Sequence, residues 1–239
     1  MNTEILVQDG VVHRSVGKSA DAKDLALFEE IEKNLYTAVL ADALDELGYH
    51  HCAMRERMRP ANLKTRFAGW ARTIQCQDMH YLPSDPYGLE IEAMDSILSG
   101  EIVVVSTAES IRNAPWGELM STAAMARGAR GAVVDGLIRD VRTIQSLGFQ
   151  IFAAGIKPVD SRGRGQVVDY NVPVECGGVL VTPGDLVVAD YDGVVVIPAH
   201  IIEPVLHKAR VKISMENKSR EDLKGGAFLA DVYAKYGVL

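Results

Sequence analysis

Cysteine is scarce in this chain. Cys52, Cys76 and Cys176 are the three in 239 residues, and no two stand at C-x-x-C spacing, so neither a disulfide framework nor a zinc knuckle is encoded. Long apolar runs are missing too: none approaches the roughly 18 residues that a bilayer span needs, so no membrane partner is expected. An excess of positive charge is also lacking. The formal net charge is −7, without the clustered Lys and Arg on which binding to a phosphate backbone depends, so nucleic acid is not an expected partner. The opening stretch MNTEILVQDGVVHRS has acidic residues early and no basic-then-apolar order, which does not resemble a signal peptide and sets a cytoplasmic location as the expectation. No internal repeat, low-complexity linker or break in composition divides the chain. One domain over residues 1–198 with a C-terminal helical extension of the same domain over 199–239 is the simplest organisation.

What is present is the composition of an ordered globular protein, 48% hydrophobic and 24% charged. Ser19 to Leu47 carries apolar residues at helical spacing up to Gly48, and predicts two helices packed on a sheet. Ala68 to Cys76 alternates as a half-buried strand, Gly88 to Ser99 reads as helix, and Ile102 to Val105 is a continuous apolar run typical of a buried strand. Helix is predicted again over Gly117 to Arg127 and strand over Gly131 to Val134, followed by a turn at Asp135-Gly136. A short helix, Val141 to Leu147, ends at Gly148 and leads to a strand over Gln150 to Ala153. Alternating strands and helices imply a parallel sheet. After Gly155 come short β-branched runs over 166–168, 172–175, 178–181, 186–189 and 194–197, separated by turn signals, which predict a largely antiparallel second sheet. Ala199 to Ser214 is an amphipathic helix, and a polar stretch from Glu216 to Lys224 leads through Gly225-Gly226 into a last helix, Ala227 to Tyr236.

Chemistry concentrates between Trp116 and Asp140, WGELMSTAAMARGARGAVVDGLIRD. Gly117 lets a ligand approach the backbone, and the N–H groups of Glu118, Leu119 and Met120 at a helix start are free to cradle a carboxylate. Arg139 and Asp140 follow a buried strand, at the sheet end where α/β proteins hold ligands, and pair a cation with a metal-ligand carboxylate. Each has a plainer reading. Glu118 alone complements a helix dipole, Asp140 alone is a helix N-cap, and Asp135 is a turn residue before Gly136.

The combination is more specific than its parts. An acid, twenty intervening residues and then Arg-Asp, together with GWART (69–73), GARGAVVDGLIRD (128–140), the hairpin text NVPVECGGVLVTPGDLVVADYDGVVVIP (171–198) and a tail bearing Glu216, Arg220 and Gly225, resembles the RraA-like family. That family contains class II pyruvate aldolases acting on 4-hydroxy-4-methyl-2-oxoglutarate as well as RraA-type regulators of ribonuclease E. The resemblance covers most of the chain and implies an α/β fold, a three-layer β/β/α swivelling domain with a central parallel sheet, an antiparallel sheet and a C-terminal helical extension.

By the resemblance, Asp140 holds a divalent metal, Mg²⁺ or Mn²⁺, largely through waters, and Arg139 contacts the 2-oxo acid and neutralises the developing enolate. Gly117, Glu118, Leu119 and Met120 bind the pyruvyl carboxylate. Glu216, supplied by a neighbouring subunit of a homotrimer or dimer of trimers and with Glu221 as its competitor, completes the water shell, and a metal-bound water or hydroxide polarised by Glu118 and Glu216 is the expected base for the 4-hydroxyl proton. The aldolases more often have Asp where this chain has Glu118, which bears on substrate preference. The implied activity is metal-dependent cleavage of a 4-hydroxy-2-oxo dicarboxylic acid to pyruvate and a second 2-oxo acid, with oxaloacetate decarboxylase side activity. The alternative is a regulator that binds ribonuclease E without catalysis, which retention of Asp140 and the long tail argue against. A Schiff base at Lys157 is disfavoured because Gly155 and Pro158 mark a turn, where Lys is exposed and charged. His50-His51-Cys52 reads as a solvated turn, and Arg162 and Arg164 as a solvated loop.

Overall fold

The computed structural model describes residues 7–8, 11–12, 17 and 19–238, so the stretch read for a leader lies largely outside the described residues. In chain order the elements are β1 (Val7–Gln8), β2 (Val11–Val12), α1 (Ala22–Asn34), α2 (Thr37–Glu46), β3 (Arg59–Pro60) and β4 (Phe67–Asp78). Next come α3 (Gly88–Asp95), β5 (Glu101–Ser106), α4 (Glu118–Ala126), β6 (Gly131–Ile138), α5 (Val141–Leu147) and β7 (Ile151–Ile156). The chain ends with β8 (Gly165–Tyr170), β9 (Val174–Cys176), β10 (Val179–Val181), β11 (Leu186–Asp190), β12 (Gly193–Ile197), α6 (Ile202–Lys224) and α7 (Leu229–Tyr236). Among the described residues no helix is long and apolar enough to cross a membrane.

β4, β5, β6 and β7 are neighbours in that order and parallel. β5 is buried at every position, the pattern of a strand covered on both faces. The intervening helices pack on one side of these strands. Ala93 and Met94 of α3, Ala124 of α4 and Ile144 of α5 therefore share a cluster with Ile74, Val103, Val105, Ala132, Val134 and Ile151. The residues between those, Ile102, Val104, Val133 and Phe152, face the other way, onto Val187, Ala189, Val194 and Val196 of β11 and β12 and onto the hairpin β9-β10. The far side of β11 and β12 is covered by α1, α2 and the first half of α6, through Phe28, Ile31, Leu40, Leu44, Val205 and Leu206.

Two β layers with helices on the parallel one is the α/β arrangement expected from the sequence, but most of the antiparallel strands join the parallel sheet and do not form a separate one. β11 and β12 continue the parallel sheet by antiparallel pairing of β11 with the start of β4, and β8 pairs antiparallel with the end of β4. Among the described residues outside this sheet, β9 pairs with β10 and β1 with β2. β4 is long enough, at 12 residues, to serve both layers. Two local expectations are corrected. Asp135 and Gly136 lie inside β6, where the register with β7 shifts, and not in a turn. The polar stretch from Glu216 to Lys224 is helix: α6 runs unbroken over 23 residues to Gly225, because its polar half is held by charge pairs and not by an apolar stripe. Arg220 pairs with Glu216, Lys224 with Glu221, and Asp222 with Lys235 and Tyr236 of α7.

One buried charge pair sits between β4 and β5. Arg72 and Glu101 side chains are each 3% exposed with Nη1 and Oε1 3.9 Å apart. Glu101 accepts from Leu98 N–H at 2.7 Å, and Arg72 donates to Ser96 Oγ and lies over the Tyr170 ring. Burial pushes the Glu101 carboxyl up and the Arg72 guanidinium down, and each offsets part of the shift in the other. Glu101→Ala would strand the buried guanidinium and is expected to cost about 3–5 kcal/mol. Denaturant unfolding measures this; a loss within about 1 kcal/mol would show that water reaches Arg72 once the carboxylate is gone.

Candidate active site

All four parallel strands end on one side, at Asp78, Ser106, Ile138 and Ile156, and α3, α4 and α5 start there. This is the crevice outside the carboxyl ends of the strands where open α/β sheets take ligands. Trp116 fastens the start of α4 to the end of β6. It bridges Ile138 in parallel, its carbonyl accepts from Arg139 N–H at 2.9 Å, and its buried ring stacks on Phe149. The indole N–H donates to Ser121 Oγ at 2.9 Å, and that hydroxyl donates to the Gly117 carbonyl at 3.0 Å. The first turn of α4 is thereby held against Arg139 and Asp140.

Gly117 is the N-cap of α4 and has no side chain to cap it. Of the three N–H groups read as a carboxylate cradle, that of Glu118 is already taken, donating to Asp140 Oδ2 at 3.2 Å. Those of Leu119 and Met120, which have no intrahelical acceptor, are left for a ligand. Gly117 is also a spacing requirement. A Cβ there would lie 2.6 Å from Asp140 Oδ2 and 3.2 Å from Arg139 Cγ.

Asp140 occupies the N-cap position of α5 but makes no cap hydrogen bond. Its φ of 58° is left-handed, a conformation few residues other than glycine accept. That strained backbone aims the carboxylate back toward α4, which the plain N-cap reading does not explain. Arg139 Nε lies 3.9 Å from Asp140 Oδ2, and both side chains are well exposed, 39% and 48%, so the pair is open to a ligand.

Three residues that the sequence reading missed complete the surroundings. Arg139 Nη2 pairs with Asp160 Oδ1 at 3.1 Å, and Tyr87 Oη donates to Asp160 Oδ2 at 2.8 Å. Burial pushes the Asp160 carboxyl up, but the Tyr87 hydroxyl, Arg139 and the N–H groups of Ser161 and Arg162 outweigh it and hold the carboxyl below its ordinary value. Glu90, in the first turn of α3, is raised to about 7, by burial first and by the Asp160 charge second, with Arg139 opposing. No spacing in the sequence pointed to these residues; Asp160 sits one residue before the SRGRG loop that drew attention for its arginines.

The other sequence-derived residues are placed as follows. Glu118 Oε1 accepts from Thr122 Oγ1 at 2.8 Å along its own helix. Leu119 is 78% exposed, while Met120 packs against the core under the helix. Glu216 lies on α6, in the helical layer on the other side of the molecule from α4 and α5, where its carboxylate accepts from Tyr36 Oη and faces Arg220. Burial and then the Glu216 carboxylate raise the Tyr36 hydroxyl to about 12. Within one chain the fold brings Gly117, Glu118, Arg139 and Asp140 together and leaves Glu216 apart. Its competitor Glu221 is exposed and pairs with Lys224. Lys157 Nζ donates to the Ile111 carbonyl at 2.9 Å.

Among the described residues no three His, Cys, Asp or Glu side chains converge as a metal cluster. Of the carboxylates around Arg139, Asp160 is bound on both oxygens, and the donor that faces the start of α4 is Asp140, with one oxygen toward Glu118 N–H. It fits a hard cation that takes one carboxylate and keeps most of its waters, and does not fit zinc, which needs several converging N or S ligands.

The chain matches the RraA-like family model, Aldolase/RraA, over residues 37–196. It is 34% identical over 189 residues to a protein of Halalkalibacterium halodurans named "Putative 4-hydroxy-4-methyl-2-oxoglutarate aldolase", covering 79% of this chain and 84% of that protein. Among solved structures, an uncharacterized protein of Pseudomonas syringae superposes with a TM-score of 0.77 at 29% identity, covering 90% of this chain and 98% of that one. Streptomyces coelicolor RraAS2, described as an unusual member of the RNase ES inhibitor RraA protein family, superposes with a TM-score of 0.75 at 28% identity, covering 85% and 98%.

Proposed function

This chain belongs to the RraA-like family, and on that premise we propose that it is a divalent-metal-dependent carbon–carbon lyase. Its substrate is a 4-hydroxy-2-oxo dicarboxylic acid of the 4-hydroxy-4-methyl-2-oxoglutarate type, cleaved to pyruvate and a second 2-oxo acid through a pyruvate enolate, with oxaloacetate decarboxylation as a side activity. The observation that carries this reading is the convergence of an uncapped helix start on an Arg-Asp pair whose Asp declines the cap role its position offers.

Each part has a task. The N–H groups of Leu119 and Met120 take the substrate's 1-carboxylate at the positive end of α4. Arg139, fixed at one nitrogen by Asp160, presents the rest of its guanidinium to the 2-oxo oxygen and stabilises the negative charge that grows there as the C3–C4 bond breaks. Asp140 would hold Mg²⁺ or Mn²⁺, which when bound supplies a Lewis acid at the 2-oxo group. Leu119, Ile111 and Ile156, each about 70% exposed or more, stand at this same end of the sheet. An apolar rim of that kind suits coverage by a second copy in a homotrimer or dimer of trimers, and only a second copy can bring a Glu216 to this site.

Pyruvate release from 4-hydroxy-4-methyl-2-oxoglutarate and from oxaloacetate, followed with lactate dehydrogenase, is the test. Turnover of both with Mg²⁺, lost on adding EDTA and restored by excess metal, is expected. The similarity to RraAS2 favours a second reading, a regulator that binds ribonuclease E. Stoichiometric binding to that enzyme with no turnover of either acid would put it first.

A further inference from the structure

Bond cleavage in the proposed reaction needs a group to take the proton of the substrate's 4-hydroxyl, and among the described residues no histidine pairs with Arg139, Asp140 or Asp160 to do it. We propose that Glu90 is that base. The inference rests on the lyase reading above and adds a catalytic residue to it.

Glu90 opens α3 at the same end of the sheet as Gly117 and Arg139. Its carboxylate accepts no hydrogen bond and forms no ion pair with any described residue, unlike Asp160 beside it, which is bound on both oxygens. It lines a small cavity whose polar groups come from Asp78, Thr107, Ser110, Asn113 and Ser161. A half-buried carboxylate with no partner, at the end of the sheet where Tyr87, three residues before it, is tied through Asp160 to Arg139, is costly to keep for structure alone.

The surroundings suit the task. Asp160 and Arg139 act on Glu90 with opposite charges, Tyr87 precedes it and is itself bound to Asp160, and Cys76 and Asp78 face the cavity from β4. From β8 the cavity is lined by uncharged Gln166 and Val167. With its carboxyl raised to about 7, the group changes protonation near neutral pH, where a general base is most effective.

The step balances. The 4-hydroxyl O–H bond breaks and its proton passes to the Glu90 carboxylate; the oxygen's electron pair forms the new C4 carbonyl, and the C3–C4 pair moves to C2–C3 as the enolate. The Glu90 carboxylic acid then protonates C3, which yields the methyl group of pyruvate and restores the carboxylate. Oxaloacetate has no hydroxyl proton to surrender, so its decarboxylation bypasses the base, and its enolate takes the proton at C3 from water.

The experiment compares the wild type, Glu90→Gln and Glu90→Asp on both substrates with Mg²⁺ across the pH range around neutrality. Glu90→Gln is expected to lower kcat for aldol cleavage by about 10²-fold or more, with KM little changed and decarboxylation within about tenfold of wild type. The wild-type cleavage rate should rise with pH through about 7, as the carboxylate forms. Glu90→Gln should lose that limb, and Glu90→Asp should keep it at a displaced pH. Retained cleavage with an unchanged acidic limb in Glu90→Gln would overturn the assignment, as would equal loss of both activities, which marks a structural role. A wild type inert on both acids would overturn the lyase reading and this inference with it.

Discussion

Asp140→Asn is expected to abolish pyruvate release from both 4-hydroxy-4-methyl-2-oxoglutarate and oxaloacetate at saturating Mg²⁺ while leaving the fold in place. The two halves of this expectation have separate causes. Asparagine tolerates the left-handed conformation at φ 58° about as well as aspartate, and it retains an oxygen that can accept from Glu118 N–H, so the local structure survives. The side chain is 48% exposed and does not cap α5, so a change in stability within about 0.5–1 kcal/mol is expected. What asparagine lacks is the negative charge. A neutral amide is a poor ligand for a hard cation, and Asp140 is the carboxylate held against the start of α4, where the substrate's carboxylate is proposed to bind. If the cation contributes several kcal/mol to stabilising the enolate, the rate should fall about 10³-fold or more for both reactions, which share that intermediate. The coupled assay with a parallel thermal melt measures both halves. Activity within tenfold of wild type in a well-folded variant would remove Asp140 from metal binding. Loss of cleavage alone, with decarboxylation intact, would instead make Asp140 part of the proton-transfer machinery.

The parts of this molecule that could be read from sequence are those whose cause is local. The apolar runs of β5 and β6 announce buried parallel strands because burial on both faces demands continuous hydrophobicity. The Gly117 helix start and the Arg139-Asp140 strand end are legible for the same reason. Asp135-Gly136 shows the limit. A D-G dipeptide is the ordinary signature of a turn, yet here Asp135 is buried and accepts from Thr107 N–H and Oγ1 at 2.6 and 2.8 Å. Gly136 is required because Thr107 Oγ1 stands 2.5 Å from where a Cβ would be. That reason lies on the neighbouring strand. The polar half of α6 was opaque because charge pairs within the helix and from Asp222 to α7 replace the apolar periodicity a reader looks for. Asp160, Tyr87 and Glu90 were opaque because each matters only through what folding puts beside it. Glu216 is the intermediate case: its position in the tail was visible, but not that within the chain its carboxylate would be taken by Tyr36 and Arg220, away from α4 and α5.

Gly117→Ala isolates steric spacing from backbone freedom, and the expected result is an enzyme folded as before with activity lowered about 10²-fold. Gly117 sits at φ −147° and ψ −163°, extended backbone that alanine adopts without strain, so the usual argument for a glycine does not apply. The added methyl would instead meet Asp140 Oδ2 at 2.6 Å and Arg139 Cγ and Nε at 3.2 and 3.3 Å. Those are partly exposed side chains, free to move, and so stability is preserved while geometry is not. Asp140 would swing away from Glu118 N–H, and Arg139 would be pushed from the orientation its Asp160 contact sets. A misplacement of about 1 Å in groups that stabilise an enolate is enough for a loss of that size. Gly148→Ala is the counterpart. Gly148 ends α5 at φ 74° with nothing within 4 Å of a Cβ, so alanine there should cost about 1 kcal/mol of stability with no effect on turnover. Thermal melts and kcat on the two variants should therefore separate cleanly: activity without stability lost in one, stability without activity lost in the other. A Gly117→Ala enzyme of wild-type activity would mean that the Arg-Asp pair can relax and still work, and the close approach of α4 to β6 would then be a packing feature and not a catalytic one.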